Sequence, residues 1–367
     1  MIFLQNGWDM SATRYIFSVL LAWAVVFSTV LFAQTAPANI RVSPTFAARG
    51  LPPGVLAPLT SKPVAAHAPF EAGECNLCHV NSDPKQPGPL IKPVTELCVG
   101  CHEEFPDVLK RAHAHPPAQT NCTNCHNPHN ANYPKLLLQE PGQLCTGCHK
   151  KIAEILTTAT VPHKALSTGA KCLNCHNPHA SEVEALLRQQ PFDLCVGCHN
   201  VDTMVGANGK KLQNMKAWLD DNPDWHGPLK FKDCVACHKP HGASQFRLLD
   251  GNYPKEFYAP YDPAVYELCF GCHKEKAFST ALTTKLTRFR NGDKNLHFVH
   301  LQQPGRGRTC RACHEVHASK QDKHIREGVP YGSGGWVLKL NYKQTPTGGS
   351  CAKTCHQERS YENRKAP

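Results

Sequence analysis

The chain has 367 residues, among them 20 cysteines and 22 histidines, and its formal net charge is +11. A positive balance of this size ordinarily suggests an anionic partner such as a nucleic acid or a membrane surface. No segment beyond residue 33 is apolar enough to cross a membrane, so the body of the chain is not expected to span one. The cysteines are the more informative feature, because all 20 of them belong to one recurring motif.

The N-terminus predicts export. Residues 15–33 form an uncharged run of 19 residues preceded by Arg14, and Ala33 ends a stretch typical of a signal-peptidase site. We therefore predict a signal peptide over residues 1–33. An uncleaved anchor is the alternative, since 19 apolar residues nearly span a bilayer. In either case we expect a periplasmic, outer-membrane-associated or extracellular protein. Residues 34–66 are rich in Pro and Ala, lack cysteine and are predicted to be a tether.

Ten cysteine motifs follow, numbered here 1 to 10 in chain order. Nine read Cys-x-x-Cys-His, and motif 10 has one more residue between its cysteines. The cysteine pairs are Cys75 and Cys78, Cys98 and Cys101, Cys122 and Cys125, Cys145 and Cys148, Cys172 and Cys175, Cys195 and Cys198, Cys234 and Cys237, Cys269 and Cys272, Cys310 and Cys313, and Cys351 and Cys355. The histidines that follow them are His79, His102, His126, His149, His176, His199, His238, His273, His314 and His356.

Cys-x-x-Cys-His is the attachment signature of c-type haem. Two thiols bond to the haem vinyl groups, and the adjacent imidazole is placed to bind the iron. Zinc sites and disulfides are the alternatives for paired cysteines, but neither requires a histidine directly after the second cysteine. We therefore predict about ten covalent haems. Their propionates would contribute up to about 20 negative charges, so much of the Lys and Arg is explained by propionate pairing and no nucleic-acid partner is expected.

The motifs recur as five pairs. The leading cysteines of the first three pairs are 23 residues apart each time, and the last two pairs carry loop insertions. We predict five di-haem units, at residues 67–112, 113–160, 161–222, 223–290 and 291–367. The second unit shows the repeat in full: His-x-Pro, Cys-x-x-Cys-His-x-Pro-His, Leu-Leu and Leu-Cys-x-x-Cys-His.

This repeat resembles the doubled CXXCH multihaem cytochromes over about residues 67–356. By haem count and size the chain is also similar to the periplasmic decahaem cytochromes of porin–cytochrome complexes. The first unit departs from the repeat, because no histidine lies three residues after His79, and the last unit departs in its widened motif 10.

A second imidazole is expected on each iron. Methionine is nearly absent after residue 33, where Met204 and Met215 are the only two. Nine spare histidines recur at fixed offsets, and His113, His297 and His324 are candidates for the tenth role, for which we predict His113. The predicted distal ligands are His67, His115, His163, His226, His300, His129, His179, His241, His317 and His113.

The predicted fold is a multihaem cytochrome c: mostly loop with short α-helices, little or no β, and an elongated array of five di-haem units with the haems as the core. About 33 residues per haem leave too little chain for a separate apolar core around each cofactor. Short helices are predicted at residues 150–158, 181–190 and 214–221.

The predicted function is electron transfer rather than catalysis. Two imidazoles on each iron leave no position for a substrate, so we expect a conduit between a quinol-side donor and an outer-membrane or extracellular acceptor. An outer-membrane porin and self-assembly are the further partners considered. The alternative is a multihaem reductase of the nitrite or hydroxylamine type, which would need one open-site haem.

Overall fold

The computed structural model describes residues 63–206, 209–332, 335–351 and 355–364. The predicted signal peptide and nearly all of the predicted tether lie outside these residues. Within them, no helix is both long enough and apolar enough to cross a bilayer.

The helices are short and separated by irregular chain. They are α1 (Ala68–Glu71), α2 (Val94–Val99), α3 (Phe105–Val108), α4 (Pro116–Thr120), α5 (Pro141–Cys148), α6 (Lys150–Thr158), α7 (Pro191–Cys198), α8 (Met215–Asp221), α9 (Gly227–Lys230), α10 (Glu267–Phe270), α11 (Lys276–Ser279) and α12 (Leu296–Leu301). Six of them, α1, α3, α4, α5, α7 and α9, carry proline in the first turn, where its missing N–H costs nothing. Single 3-10 turns connect many of the others.

Two of the three predicted helices are confirmed. Helix α6 spans Lys150–Thr158 as predicted, and α8 begins at Met215 after Asn214, whose side chain accepts a hydrogen bond from the Ala217 N–H. The helix predicted at residues 181–190 is wrong. Ser181 lies in a strand instead, and the following turn contains left-handed backbone at Ala185 and Leu186.

Most strands are two-residue pairings between distant parts of the chain. They are β1 (Ala65–Ala66), β2 (His113–Ala114), β3 (Asn130–Ala131), β4 (Ala180–Ser181), β5 (Asp224–Trp225), β6 (Arg290–Asn291), β7 (Lys294–Asn295) and β8 (Ala318–Ser319). Pairs β1–β3, β2–β4 and β5–β8 are antiparallel and each joins the start of one unit to the middle of a later unit.

The C-terminal part has more regular β-structure than predicted. Its strands are β9 (Gly328–Tyr331), β10 (Trp336–Lys339), β11 (Lys343–Thr345), β12 (Gly348–Cys351) and β13 (Arg359–Glu362). Strands β9 and β10 form a hairpin, and β12 lies between β11 and β13. Gly348 permits this arrangement, because a Cβ there would collide with the backbone of Tyr361. The sequence suggested a loop here, since clustered glycines usually mark turns.

The apolar core of the described residues is small and divided. One cluster contains Leu219, Leu229 and Ala318, and Trp218 donates from Nε1 to the Ala318 carbonyl at 3.1 Å. A second contains Tyr253, Tyr266 and Leu301. Mostly loop structure with short helices is thus confirmed, and little of the chain's own apolar surface is available to hold the units together.

Candidate functional site

Each of the nine regular motifs forms one helical turn. The histidine N–H donates to the carbonyl of the motif's first cysteine, at 2.8 Å for His79 and 3.1 Å for His126, for example. Residues three and four positions apart on such a turn share a face. Both thiols and the imidazole therefore project together, as attachment to one cofactor requires. Motif 10 is different, because Cys351 is the last residue of strand β12.

Imidazole rings face each other in pairs across the described structure. Nine such pairs have ring centroids 6.0 to 6.4 Å apart and ring planes within 12° to 28° of parallel. They are His67 with His102, His79 with His129, His115 with His149, His126 with His179, His163 with His199, His176 with His241, His226 with His273, His238 with His317, and His297 with His314.

The pair geometry fits one metal ion between two rings. Two metal–nitrogen bonds of about 2 Å each, added to the two ring radii, account for a centroid separation of roughly 6 Å. Every pair contains one histidine that follows a Cys-x-x-Cys and one that does not. No group of three or more His, Cys, Asp or Glu side chains suited to a metal converges among the described residues. The residues present thus fit two-imidazole axial ligation of a haem iron.

The pairs follow one rule along the chain. The even-numbered motif of a unit faces the histidine at the start of the same unit, as His102 faces His67. The odd-numbered motif faces the His-x-x-His histidine of the next unit, as His79 of the first unit faces His129 of the second. Each of the first four units therefore takes one partner imidazole from its successor.

This rule explains both irregular ends of the repeat. No motif precedes the first unit in residues 1–66, so no earlier motif uses a His-x-x-His histidine of that unit. In the fifth unit, the imidazole opposite His314 comes from His297, which lies in that unit's own helix α12. His113 belongs to none of the nine pairs; its backbone pairs with Ser181 in the β2–β4 ladder. His324 lies beside Asp224, with 3.3 Å between Nδ1 and Oδ2.

The histidine of motif 10 lies near His300. Burial lowers the pKa of His300, and the neighbouring positive charges of Arg308, His356 and Arg359 lower it further. His300 and His356 thus lie near each other, and His300 has the same position in the repeat as His67 has in the first unit. Met204 lies in a loop, where its carbonyl accepts from Leu212, and Met215 packs against the Leu219 cluster.

Backbone carbonyls fix the orientation of many of these rings. Nδ1 of His79, His126, His176, His238 and His314 lies 2.8 to 2.9 Å from a carbonyl oxygen nine residues further on. Nδ1 of His67, His115 and His163 lies 2.8 to 2.9 Å from the carbonyl of Pro128, Pro178 and Pro240. A ring that donates from Nδ1 leaves Nε2 unprotonated and free to bind a metal.

Left-handed turns place the carbonyls that the odd-numbered motifs use. Lys135, Ala185, Arg247 and Lys323 supply them at φ 55° to 61°, and the first unit uses Gly88 at φ 74°. Left-handed backbone costs an ordinary residue roughly 1–2 kcal/mol. Its recurrence at the same position in four units marks the turn as part of the site, because such strain persists only where the surrounding structure enforces it.

Burial lowers the pKa of several of these imidazoles and so favours their neutral form, which is the form that binds a metal. It lowers the pKa of His297 and of His317 to about 3, with smaller contributions from nearby imidazoles and, at His317, from arginines. It also lowers the pKa of His179, His199 and His241.

Consecutive motifs lie next to one another. A hydrogen bond between Cys98 of motif 2 and Cys122 of motif 3 raises the pKa of Cys98 and lowers that of Cys122 to about 6. Within units, the thiol neighbours include Cys78 with Cys101, Cys125 with Cys148, Cys175 with Cys195, Cys237 with Cys269 and Cys313 with Cys351. Between units, they are Cys98 with Cys122, Cys145 with Cys172, Cys195 with Cys234 and Cys269 with Cys310. Motifs 1 to 10 thus form one unbroken series.

All 20 cysteines are free thiols in the structure. A disulfide set would use the thiol contacts but would give no role to the paired imidazoles. A cofactor that binds both thiols and imidazoles accounts for the two arrangements together.

Comparison with protein families supports the same class. The doubled CXXCH motif model matches four segments, residues 67–107, 115–154, 163–204 and 226–278. These segments belong to that family, and their motifs indicate covalently bound haem c in a multihaem c-type cytochrome, which is consistent with electron transfer. The matches coincide with the first four units predicted from the repeat. A comparison with curated proteins found no significant match.

Proposed function

We propose that the chain is an exported electron carrier that holds ten haems, each between two imidazoles, and conducts electrons along the series of motifs. The observation that carries the proposal is the set of nine near-parallel imidazole pairs. When bound, each haem iron supplies a site that takes up and releases one electron. The chain would attach each haem through two thiols and hold it between two imidazoles whose orientation its own backbone fixes.

The ligand assignment proposed here differs from the sequence prediction at one position. We give the tenth distal role to His297, opposite His314, whereas the prediction gave it to His113 because the first unit lacks an internal distal histidine. We place His300 opposite His356 in motif 10. The remaining assignments keep the predicted histidines and add their partners. The unbroken contact between successive motifs supports conduction through the whole series, because neighbouring attachment points bring their cofactors close together.

The proposed setting is the bacterial envelope, with a quinol-side donor and an outer-membrane or extracellular acceptor. An outer-membrane porin or further copies of the chain are the proposed assembly partners. The support for export is the uncharged run at residues 15–33 and the requirement of c-type haem attachment for a compartment outside the cytoplasm. We propose a carrier rather than an enzyme, since each of the nine described pairs would offer two imidazoles to one haem iron and leave no position for a substrate.

The test is a haem count combined with the spin state of the iron in the purified oxidised protein. We expect a pyridine haemochrome assay to give ten haems per chain and electron paramagnetic resonance to give low-spin ferric signals. A count near zero would contradict the haem assignment. A substantial high-spin component in the unmodified protein would favour the multihaem reductase, which needs an open axial position.

A further inference from the structure

Charge is distributed very unevenly along the chain. The segment after helix α11, residues 280–367, contains 16 Lys and Arg against 6 Asp and Glu, whereas residues 67–279 contain 20 against 22. Haem propionates would increase this difference in charge. Eight motifs lie in residues 67–279 and would add about 16 negative charges there, whereas the two motifs in residues 280–367 would add about 4. The C-terminal segment would therefore remain positive on an otherwise negative molecule.

Three exposed arginines of this segment lie on, or next to, the elements that carry Cys351 of motif 10 and its neighbour His300. Arg359 of β13 lies directly opposite Cys351 of β12 in the antiparallel register, so the two side chains share a face of the sheet. Arg288 precedes Phe289, whose ring stacks on His300 at 5.6 Å. Arg306 lies in the turn after helix α12, the helix that carries His300. We call Arg288, Arg306 and Arg359 the C-terminal basic face.

Exposed aromatic side chains border the same site. Tyr331 and Trp336 lie opposite each other in the β9–β10 hairpin and are 41% and 73% exposed. Tyr331 also packs near Tyr258, with ring centroids 6.4 Å apart. Tyr258 in turn pairs through its backbone with Arg308 and lies near Cys355 of motif 10. Arginine, tyrosine and tryptophan are the residues most enriched at energetically important positions of protein interfaces.

We propose that the C-terminal basic face, with Tyr331 and Trp336 beside it, docks an acidic electron-transfer protein and makes motif 10 the point of electron exchange. The inference rests on the proposed function. A protein occupant is favoured over a lipid surface, because an exchange site must bring the partner's redox centre close to motif 10 and a bilayer has none. In the exchange one electron leaves the reduced partner and one ferric iron becomes ferrous, with no bond made or broken.

The test uses a reduced plant-type ferredoxin, a small acidic redox protein, as the probe. The variant Arg288→Glu/Arg306→Glu/Arg359→Glu is compared with Lys85→Glu/Lys92→Glu/Lys150→Glu, which makes the same change in net charge at exposed lysines of the first two units. Reduction is followed by stopped flow at several salt concentrations, and the ferredoxin Kd is measured by calorimetry with both proteins oxidised. Variants are compared at equal haem content.

We expect the wild-type rate to fall as salt rises, and the arginine variant to be at least about tenfold slower at low salt with a weaker Kd. The lysine variant should stay within about twofold of the wild type. Trp336→Ala should weaken the Kd without changing its salt dependence, because it removes contact area and no charge.

The proposal would be overturned if the two triple variants changed the reduction rate and the ferredoxin Kd equally, or if neither variant changed them. It would also be overturned if the arginine variant lost binding to phosphatidylglycerol vesicles while its ferredoxin Kd stayed unchanged. The last would assign the face to a lipid surface. Failure of the proposed function can be distinguished from failure of the docking proposal. The former would appear as missing haem or as haem that dithionite does not reduce, whereas the calorimetric Kd reports on the docking face alone.

Discussion

At the scale of single residues, the two nitrogens of many of these imidazoles have separate roles. Nδ1 of His126 lies 2.8 Å from the Lys135 carbonyl, which leaves Nε2 for the metal and holds the ring plane. His297 is a partial exception, since its Nδ1 lies 3.2 Å from the hydroxyl of Thr287 rather than near a carbonyl. A hydroxyl can donate as well as accept, so it fixes the tautomer of His297 less firmly than a carbonyl does.

The assignment of His297 can be tested against His113. His297→Ala should convert about one tenth of the haem iron from low-spin to high-spin, because His314 would lose its partner ring. His113→Ala should leave every iron low-spin. Electron paramagnetic resonance of the oxidised protein measures both.

A methionine variant distinguishes loss of the iron ligand from misfolding of the protein. His297→Met should keep six ligands on the iron and raise one haem potential, since methionine raises haem potential relative to histidine. The assignment would be wrong if His113→Ala, and not His297→Ala, produced the high-spin signal.

At the scale of elements, short segments serve mainly to place histidines. Helix α12 has six residues and carries both His297 and His300. Its N-cap, Asn295, is fully buried; the side chain accepts from the His297 N–H and donates to the carbonyls of Ala277 and Thr280. Asn295 therefore ties the helix that supplies two imidazoles to the turn after α11.

Replacing Asn295 should lower the stability of the protein. Asn295→Ala should lower the free energy of unfolding by about 2–3 kcal/mol, because the variant loses the cap and removes the side-chain donor from two partly buried carbonyls. Urea unfolding followed in the Soret band measures the change.

Asn214→Ala is the matched control, since Asn214 caps helix α8 at a more exposed position. It should cost about 1 kcal/mol and leave the haem spectrum unchanged. Equal losses in the two variants would show that Asn295 is an ordinary cap with no special part in placing His297 and His300.

At the scale of the whole molecule, the units are held together by shared histidines. The His67 N–H donates to the His129 carbonyl at 2.8 Å, and strands β1 and β3 pair beside it. The His129 ring faces His79 of the first unit. With so small an apolar core, we expect ligands donated between units to carry much of the cohesion that side-chain packing carries in other proteins.

Proteolysis tests this cohesion. Lys110 and Arg111 are exposed between the first two units and offer trypsin a cleavage site. After cleavage there, the two parts of the wild-type protein should stay together on native gel filtration. In His129→Ala they should separate, because the ring opposite His79 is gone.

His113→Ala serves as the control and should behave as the wild type, although His113 is much closer to the cleavage site along the chain. If the two parts of the cleaved His129→Ala variant stayed together, backbone pairing and packing would be sufficient to hold the units without the shared ligand.

Much of the candidate site could be predicted from local patterns in the amino-acid sequence. The ten motifs, the five units and the recurring histidines are all visible in the sequence, because a Cys-x-x-Cys-His turn is formed by neighbouring residues. Helix α6 was predictable for the same reason. The turn at residues 181–190 was not, because apolar residues there are spaced as in a helix, while the carbonyl of Ala185 is needed by His176.

The pairing of the histidines depended on the tertiary structure. His79 and His129 belong to different units, and only the packing of one unit on the next brings their rings to 6.2 Å. From the sequence alone, His113 was chosen for the tenth role because the first unit lacks its own His-x-x-His histidine. The geometry instead places His129 opposite His79 and His297 opposite His314. The kind of cofactor is fixed by residues adjacent in the chain, and the identity of each second ligand is fixed by contacts between residues far apart in it.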